Sequence, residues 1–238
     1  MPLLRISLLI ASLLLTGCSS INISKYTQQK DPFESFNRGV YKFNDTVDRA
    51  VIKPVAQGYN SAMPNPVKTM VNNFFSNLDD VVITANDVLQ LKFKQAANDG
   101  ARVVFNSTFG LFGLINITDR LDKHNEDFGQ TLGYWGVPSG PYIMLPILGP
   151  SSVRDGTGRY ADSYFSVISN TRDVPARNSA WAVEGLNTRV GLLEQEKVLD
   201  DAVIDRYSFI RDAYLMHRQS LVYDGNPPRE KFDEEDDK

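Results

Sequence analysis

The chain has 238 residues, of which 23% are charged and 42% are hydrophobic, and its formal net charge at pH 7 is -4. This acidic balance argues against nucleic acid as a partner, because nucleic-acid-binding proteins need a basic surface. It argues equally against simple electrostatic adhesion to anionic lipid. The length allows one domain of ordinary size behind a leader.

The N-terminus has the pattern of an export signal. Residues 1–5 are short and basic, and residues 6–15 form an almost unbroken apolar run. This order is typical of a secretory signal peptide; the run is too short to cross a bilayer, which needs about 20 apolar residues. Leu15-Thr16-Gly17-Cys18 resembles the lipobox of bacterial lipoproteins. We therefore predict a signal peptide over 1–17 and an acylated Cys18.

Two further features bear on that anchor. Cys18 is the single cysteine of the chain, which disfavours the alternative of a plain secretory signal with a chance cysteine. Ser19 stands where aspartate usually marks lipoproteins for retention in the inner membrane, so we expect transport to the outer membrane. Residues 18–30 are polar and are predicted to be a tether.

Helical periodicity then dominates residues 31–105. A first helix is predicted to begin at Asp31 as N-cap and to end at Pro54. A second is predicted over 67–90, and a shorter third over 95–105. Asp79 and Asp80 fall opposite the apolar stripe of the second helix and are expected to face solvent.

Two uncharged stretches follow, at 103–117 and 129–150. The second has nine Gly or Pro in 22 residues, which predicts turns and short extended pieces, or a short hairpin, and no helix. Irregular backbone in a dry core leaves unpaired polar groups. We therefore favour contact with a membrane surface over a buried core, with the rings of Tyr134, Trp135 and Tyr142 buried and their polar ends wet.

The C-terminal third returns to helices. A short helix is predicted around 160–168 and another over 183–193. The last runs over 199–221, with Asp200 or Asp201 as its cap. Residues 225–238 are acidic and are predicted to be a disordered tail.

Catalytic motifs are missing. The two histidines are far apart in sequence, and no zinc-protease, nucleophile-elbow or phosphate-loop motif occurs. Ser151 and Ser152 beside Arg154 and Asp155 leave a phospholipase open as an alternative. We expect no enzyme activity, no metal and no cofactor.

Several motifs in order resemble the MlaA (VacJ) family of lipoproteins, over about residues 31–220. The resemblance is carried by Asp31-Pro32-Phe33-Glu34, Tyr41-Lys42-Phe43-Asn44, Asn106-Ser107-Thr108-Phe109-Gly110, Asp127-Phe128-Gly129-Gln130-Thr131-Leu132-Gly133 and Gly149-Pro150-Ser151-Ser152-Val153-Arg154-Asp155.

The resemblance implies an all-α fold for residues 31–224: a mostly helical ring with a central amphipathic channel, embedded in the inner leaflet of the outer membrane. It implies removal of phospholipids that have strayed into the outer leaflet, delivery to a periplasmic carrier, and association with trimeric porins. A structural lipoprotein associated with porins is the second alternative.

Such a ring inverts the usual amphipathic arrangement, with apolar faces toward lipid and polar faces toward the channel. On that view the glycines of the uncharged stretches, Gly136 among them, supply flexibility, and Arg154 and Asp155 pair with each other or position a headgroup. The candidate channel and rim residues are Phe43, Asn44, Gly110, Gly113, Gly133, Tyr134, Trp135, Tyr142, Arg154 and Asp155.

Overall fold

The structure is a computed structural model that describes residues 31–196 and 204–228. The described part is mainly helical with one two-stranded sheet, so the all-α prediction is confirmed. The elements are α1 (Glu34–Val47), a π-helical segment (Asp48–Ile52), α2 (Lys53–Ala62), α3 (Asn65–Leu89), α4 (Phe93–Phe109), α5 (Phe128–Tyr134), β1 (Tyr142–Leu145), β2 (Gly149–Ser152), α6 (Val153–Asp162), α7 (Val174–Gly191) and α8 (Arg206–Val222).

The first helix continues further than the sequence indicates. Pro54 does not end it, because the wide π turn before α2 places Pro54 in the first turn of the next helix, where a missing N–H is tolerated. Asp31 is not the cap either, since the N-cap position belongs to Phe33. The Asp31 carboxylate instead accepts hydrogen bonds from Asn37 Nδ2 at 2.7 Å and from the Tyr207 hydroxyl.

Helices α3 and α4 form the longest packed pair of the molecule. Three residues connect them, with Leu91 in the left-handed region at φ 61°, so they are neighbours that run in opposite directions. The prediction of a helix over 67–90 is confirmed. The predicted third helix is longer than 95–105, because the apolar residues after Val103 continue its pattern up to Phe109.

The segment 129–150 combines a short helix with the hairpin. The prediction that it holds no helix is wrong for its beginning: only two glycines fall in α5, and the Asp127 carboxylate caps it by accepting the Gln130 N–H at 2.8 Å. The other breakers lie after α5. The hairpin itself is confirmed, with Tyr142 paired to Ser152 and Leu145 to Gly149.

The packing of the elements closes into a circuit. Helix α1 lies on β1, β2 lies on α8, α8 packs on α5, and α5 packs on α3. Helix α3 then contacts α7, α7 contacts α2, and α2 is continuous with α1 through the π segment. The described elements therefore form a closed series of contacts.

The C-terminal helices differ from prediction in their limits. Helix α6 begins earlier than the predicted 160–168, because the Ser152 side chain caps it by accepting the Asp155 N–H at 3.1 Å. The described cap of α8 is Asp205. The predictions for the signal peptide, Cys18, the tether, the caps Asp200 and Asp201, and the tail beyond residue 228 lie outside the described residues.

None of the described helices combines the length and the apolar character that crossing a bilayer requires.

Candidate functional site

The described part of the chain is polar inside and apolar outside. Nineteen polar or charged side chains are buried, against eight apolar ones, whereas thirty-six large apolar side chains are exposed. In water-soluble domains, charged residues are almost never fully buried unless they are paired, and large apolar patches on the surface are rare. This distribution suits a protein whose outside meets lipid.

Several exposed apolar side chains lie in the C-terminal half of α4 and just after it. The rings of Phe105 and Phe109 stack with their centroids 6.2 Å apart, and both are exposed. Leu111 and Phe112 come next in a left-handed turn, and Phe112 is 79% exposed. Exposing these four apolar side chains to water would be costly, at about 25 cal/mol for each Å² of apolar surface.

Arg218 is a buried residue that pairs with two carboxylates, Asp155, which is buried, and Asp127, which is 36% exposed at its side chain. Its guanidinium donates to the carboxylates of Asp127, at 2.5 and 2.8 Å, and of Asp155, at 3.0 and 3.1 Å. Arg154 and the Tyr214 hydroxyl also donate to Asp155, at 3.0 and 2.7 Å. Burial tends to raise the pKa of Asp155, but Arg218 and these hydrogen bonds hold it below its ordinary value. This cluster joins α5, α6 and α8.

A chain of hydrogen bonds connects α5 and α6 to α3. Asn86 Nδ2 donates to Asp162 at 2.8 Å, and its Oδ1 accepts from the Thr131 hydroxyl at 2.9 Å. Gln90 Nε2 then donates to Thr131 at 3.1 Å and to Glu126 at 2.7 Å. Burial raises the pKa of Asp162 to about 6, although hydrogen bonds from Asn86 and the backbone oppose the shift. One face of α3 is thereby lined with polar groups.

Helices α3 and α4 enclose a second charged cluster. Asp80 is fully buried, so the expectation that it faces solvent is wrong. Its carboxylate pairs with Arg102 at 3.2 Å and with Lys123 at 2.8 Å, because the loop after α4 folds back over this face. Asp79, which is 55% exposed at its side chain, does face outward.

Asp87 is the least satisfied member of this cluster. It is fully buried, and neither carboxylate oxygen has a hydrogen-bond partner among the described residues. Burial and the nearby carboxylates of Asp99 and Glu126 raise its pKa to about 7, while His124 opposes the shift. Asp99 itself contacts His124 Nδ1 at 2.6 Å.

Asn37 fixes the start of the hairpin to α1. Its side-chain Nδ2 donates to the Tyr142 carbonyl at 3.1 Å, and its Oδ1 accepts the Met144 N–H at 2.9 Å. The amide thus behaves as one peptide group of a neighbouring strand. Asn37 is fully buried.

Asn44 makes the same contact at the tip. Its Nδ2 donates to the Leu145 carbonyl at 2.9 Å, and its Oδ1 accepts the Ile147 N–H at 2.8 Å. The hypothesis that Asn44 helps the first helix to support the ring therefore has a concrete contact behind it. The neighbouring Phe43 is exposed.

The predicted glycines have a packing role in this structure. A side chain at Gly133 would meet Val222 at 2.7 Å and Arg154 at 2.8 Å, and one at Gly110 would meet the Ile115 carbonyl at 2.1 Å. Gly113 has a φ of +88°, and a Cβ there would lie 2.7 Å from Asn77. These positions need glycine for close approach, which is a different reason from the flexibility expected of them.

The three predicted aromatic residues separate into two environments. Tyr134 and Trp135 are about half exposed, as expected of side chains at a membrane surface. Tyr142 is fully buried, so the expectation of a wet polar end is wrong. As part of β1 under α1 and α8, its ring packs edge-on against Tyr207 and Tyr214, with centroids 6.3 and 6.1 Å away.

The sequence reasoning missed several buried polar residues, chiefly Asn37, Asn86, Asp87 and Arg218. One signal was available for α3: Asn77, Asp80 and Asp87 recur at intervals of three and seven, which is a polar stripe at helical spacing. Of these three residues, only Asp80 is assigned to a solvated face from the sequence, together with Asp79. Arg218 carries no comparable signal, because its partners are 63 and 91 residues away.

Comparison with known proteins decides the family. The family model described as MlaA lipoprotein matches residues 29–221. This chain belongs to the MlaA lipoprotein family. The family assignment drawn from the sequence motifs is therefore confirmed.

Relatives of the MlaA family cover nearly the whole chain. The Escherichia coli (strain K12) protein named intermembrane phospholipid transport system lipoprotein MlaA is 32% identical over 93% of this chain and 90% of its own length. The protein of the same name from Haemophilus influenzae is 32% identical over 91% of this chain and 89% of its own. An uncharacterized protein of Rickettsia felis is 37% identical over 81% of this chain and 78% of its own length.

A solved MlaA-type structure has the same fold. It comes from work on the structural basis for maintenance of bacterial outer membrane lipid asymmetry. The TM-score is 0.72 at 31% identity, and the match covers 81% of this chain and 98% of that one.

Proposed function

We propose that this protein maintains lipid asymmetry in the outer membrane. It removes phospholipids that have entered the outer leaflet, moves them through an amphipathic channel within the helical circuit, and passes them to a periplasmic carrier. It lies in the inner leaflet of the outer membrane, held by acyl chains on Cys18 and associated with trimeric porins. The names of the MlaA relatives point to intermembrane phospholipid transport.

The observation that carries this proposal is the reversed distribution of polarity. Exposed Phe105, Phe109 and Phe112 suit contact with acyl chains, whereas buried Asp80, Asn86 and Arg218 join the helices through ion pairs and hydrogen bonds. A protein that merely rested on the bilayer would need neither so many buried charges nor so many exposed aromatic rings.

Phospholipid chemistry explains why both surfaces are needed. Two acyl chains of about 30 carbon groups would cost roughly 24 kcal/mol if fully wetted, at about 0.8 kcal/mol each. An unpaired charge moved into hydrocarbon costs several kcal/mol even after relaxation. A polar path for the headgroup, with the tails kept in an apolar environment, avoids both costs.

The candidate residues are proposed to act in two places. Tyr134 and Trp135 lie at the headgroup level of the rim, and Phe43 faces lipid beside the hairpin contact of Asn44. Arg154 and Asp155 hold the walls together from within, through Arg218. Residues 1–17 are the export signal, 18–30 the tether, 31–224 the embedded domain and 225–238 an acidic tail outside it.

Deletion of the protein tests the proposal. Cells that lack it should expose phospholipid in the outer leaflet, which a lipid-modifying enzyme at the cell surface can measure. The wild-type chain should restore asymmetry, and Cys18→Ala should restore it poorly because the anchor is lost. Normal asymmetry in the deletion strain would disprove the transport function and leave a structural role at the porin.

The phospholipase alternative requires an accessible nucleophile. Ser151 and Ser152 are each only 1% exposed, and the Ser152 hydroxyl is engaged in capping α6. We therefore favour transport over hydrolysis. Release of fatty acid from phospholipid vesicles by the purified protein, lost in Ser151→Ala, would reverse that preference.

A further inference from the structure

A small turn beyond α4 holds two opposite charges side by side. Asp119 and Arg120 are its central residues, and the turn is closed by the Leu121 N–H, which donates to the Thr118 carbonyl at 2.9 Å. Both side chains are exposed. Within the described part of the chain, no carboxylate is recorded within ion-pair distance of Arg120.

The turn is fixed to α4 from both sides. Asn106 accepts the Ile117 N–H at 2.9 Å and donates to the Thr118 hydroxyl at 3.0 Å. Arg102 donates to the Leu121 carbonyl at 3.1 Å. Asn106 and Arg102 are both buried, so the two charges stand on a rigid support.

A groove of about 470 Å³ opens beside these charges. It is lined by Phe105, Ile117, Thr118, Asp119, Arg120 and Leu121. Its apolar side is continuous along α4 with the stacked rings of Phe105 and Phe109. A ligand seated here meets apolar surface at one end and a positive and a negative group at the other.

We infer that this groove binds the headgroup of a zwitterionic phospholipid. Arg120 binds the phosphate and Asp119 binds the ammonium group. The first methylenes of one acyl chain pack against Phe105 and Ile117. This inference rests on the proposed function, because it places the protein among phospholipids. A guanidinium matches phosphate oxygens with paired hydrogen bonds.

Charge complementarity selects this occupant over a simple anion. A site built for free phosphate or for an anionic headgroup would gain from further cations and would suffer from a carboxylate next to the anion. Here the carboxylate of Asp119 is held in place by Asn116 Nδ2, which donates to it at 2.6 Å. A headgroup with both charges uses both side chains.

Native mass spectrometry of the full-length acylated protein in detergent tests this inference. The protein is offered equimolar phosphatidylethanolamine and phosphatidylglycerol with the same acyl chains. The wild type should retain phosphatidylethanolamine about three- to fivefold over phosphatidylglycerol, which is the size of one exposed ion pair. Inorganic phosphate in excess should not displace it.

Three variants identify the groups responsible. Asp119→Asn keeps an oxygen for Asn116 but loses the charge, so the preference between the two lipids should disappear. Arg120→Gln removes the group that binds the phosphate, so each protein should retain one phospholipid molecule fewer than the wild type. Arg49→Gln is the control, since Arg49 is an exposed arginine that pairs with Asp45 one helical turn away, and it should match the wild type.

Other outcomes would overturn the inference. Variants at Asp119 and Arg120 that bind like the wild type would show that the turn is simply solvated. Displacement by inorganic phosphate would show a general anion site. A wild-type protein that holds neither lipid would overturn the proposed function as well, whereas lipid binding without dependence on Asp119 would leave transport standing.

Discussion

Asn37 and Asn44, two helical turns apart on α1, each bind the hairpin with the same pair of hydrogen bonds: the side chain donates to a carbonyl and accepts the N–H two residues further on. Seven residues of helix rise about 10.5 Å, and three residues of strand span about 10 Å. The spacing of the two asparagines therefore matches the spacing of the strand groups that they bind. Helix α1 thereby holds β1 at its start through Asn37 and the hairpin tip through Asn44.

Replacing Asn44 by Asp should loosen the hairpin tip. The aspartate keeps the acceptor for the Ile147 N–H but removes the donor to the Leu145 carbonyl, which costs about 1–3 kcal/mol when the group stays buried. Hydrogen exchange of amides 142–152 should accelerate. Asn125→Asp makes the same chemical change at an exposed site and should leave exchange unchanged. Equal exchange in both variants would contradict the structural role of Asn44.

Arg218→Ala should destabilise the protein more than the loss of an exposed charge. It leaves Asp127 and Asp155 without their shared partner. Breaking a fully buried ion pair costs about 3–5 kcal/mol, and we expect a smaller cost here because Asp127 is 36% exposed and Asp155 keeps Arg154 and Tyr214. Unfolding by urea in detergent should shift to lower concentration. Arg49→Ala, at an arginine that is 61% exposed, should lower the free energy of unfolding by no more than about 1 kcal/mol. Similar shifts for the two variants would show that the central cluster is not a source of stability.

Asp87 should make stability depend on pH near neutrality. Its folded pKa of about 7 lies above the ordinary value of 3.8, so the folded state favours the protonated acid. Its stabilising contribution is present at low pH and is lost as the pH rises from about 4 through 7. Asp87→Asn should raise the melting temperature at pH 8 and flatten its dependence on pH between 5 and 8. Asp122→Asn, at an exposed carboxylate, should do neither.

Gly113→Ala should be destabilising because the site combines a φ of +88° with a Cβ contact of 2.7 Å to Asn77. Strain of this kind costs about 1–3 kcal/mol. Gly39→Ala is the matched control: Gly39 lies inside α1 with no atom within 4 Å of the added Cβ, and the change should stabilise the helix by up to about 1 kcal/mol. Melting temperatures that move in the same direction would argue against the close packing of Gly113.

Helical periodicity in the sequence predicted α3 almost to its ends, and the Gly and Pro residues of 129–150 predicted the hairpin. Helical periodicity depends on residues three and four positions apart, so it can be recognised from the sequence without knowledge of the fold. It failed at Pro54, where a π turn changes the position of the proline in the helix, and at α5, where the Asp127 cap outweighs two glycines.

The polar interior could not be predicted in the same way. Asp80 looked like a solvated residue because it lies opposite the apolar stripe of α3, and only the fold shows that Arg102 and Lys123 cover it. Tyr142 looked like an interfacial aromatic, but α1 and α8 enclose it. Whether a polar residue faces water or another polar residue depends on elements that are distant in sequence.

The sequence by itself determined the family, the helical class and the abundance of apolar side chains outside any ordinary core. Only the tertiary structure decided which polar groups meet inside, since Arg218 reaches partners 63 and 91 residues away. The physical reason is that apolar stripes are local patterns, whereas pairing of buried charges requires the whole circuit of helices to close.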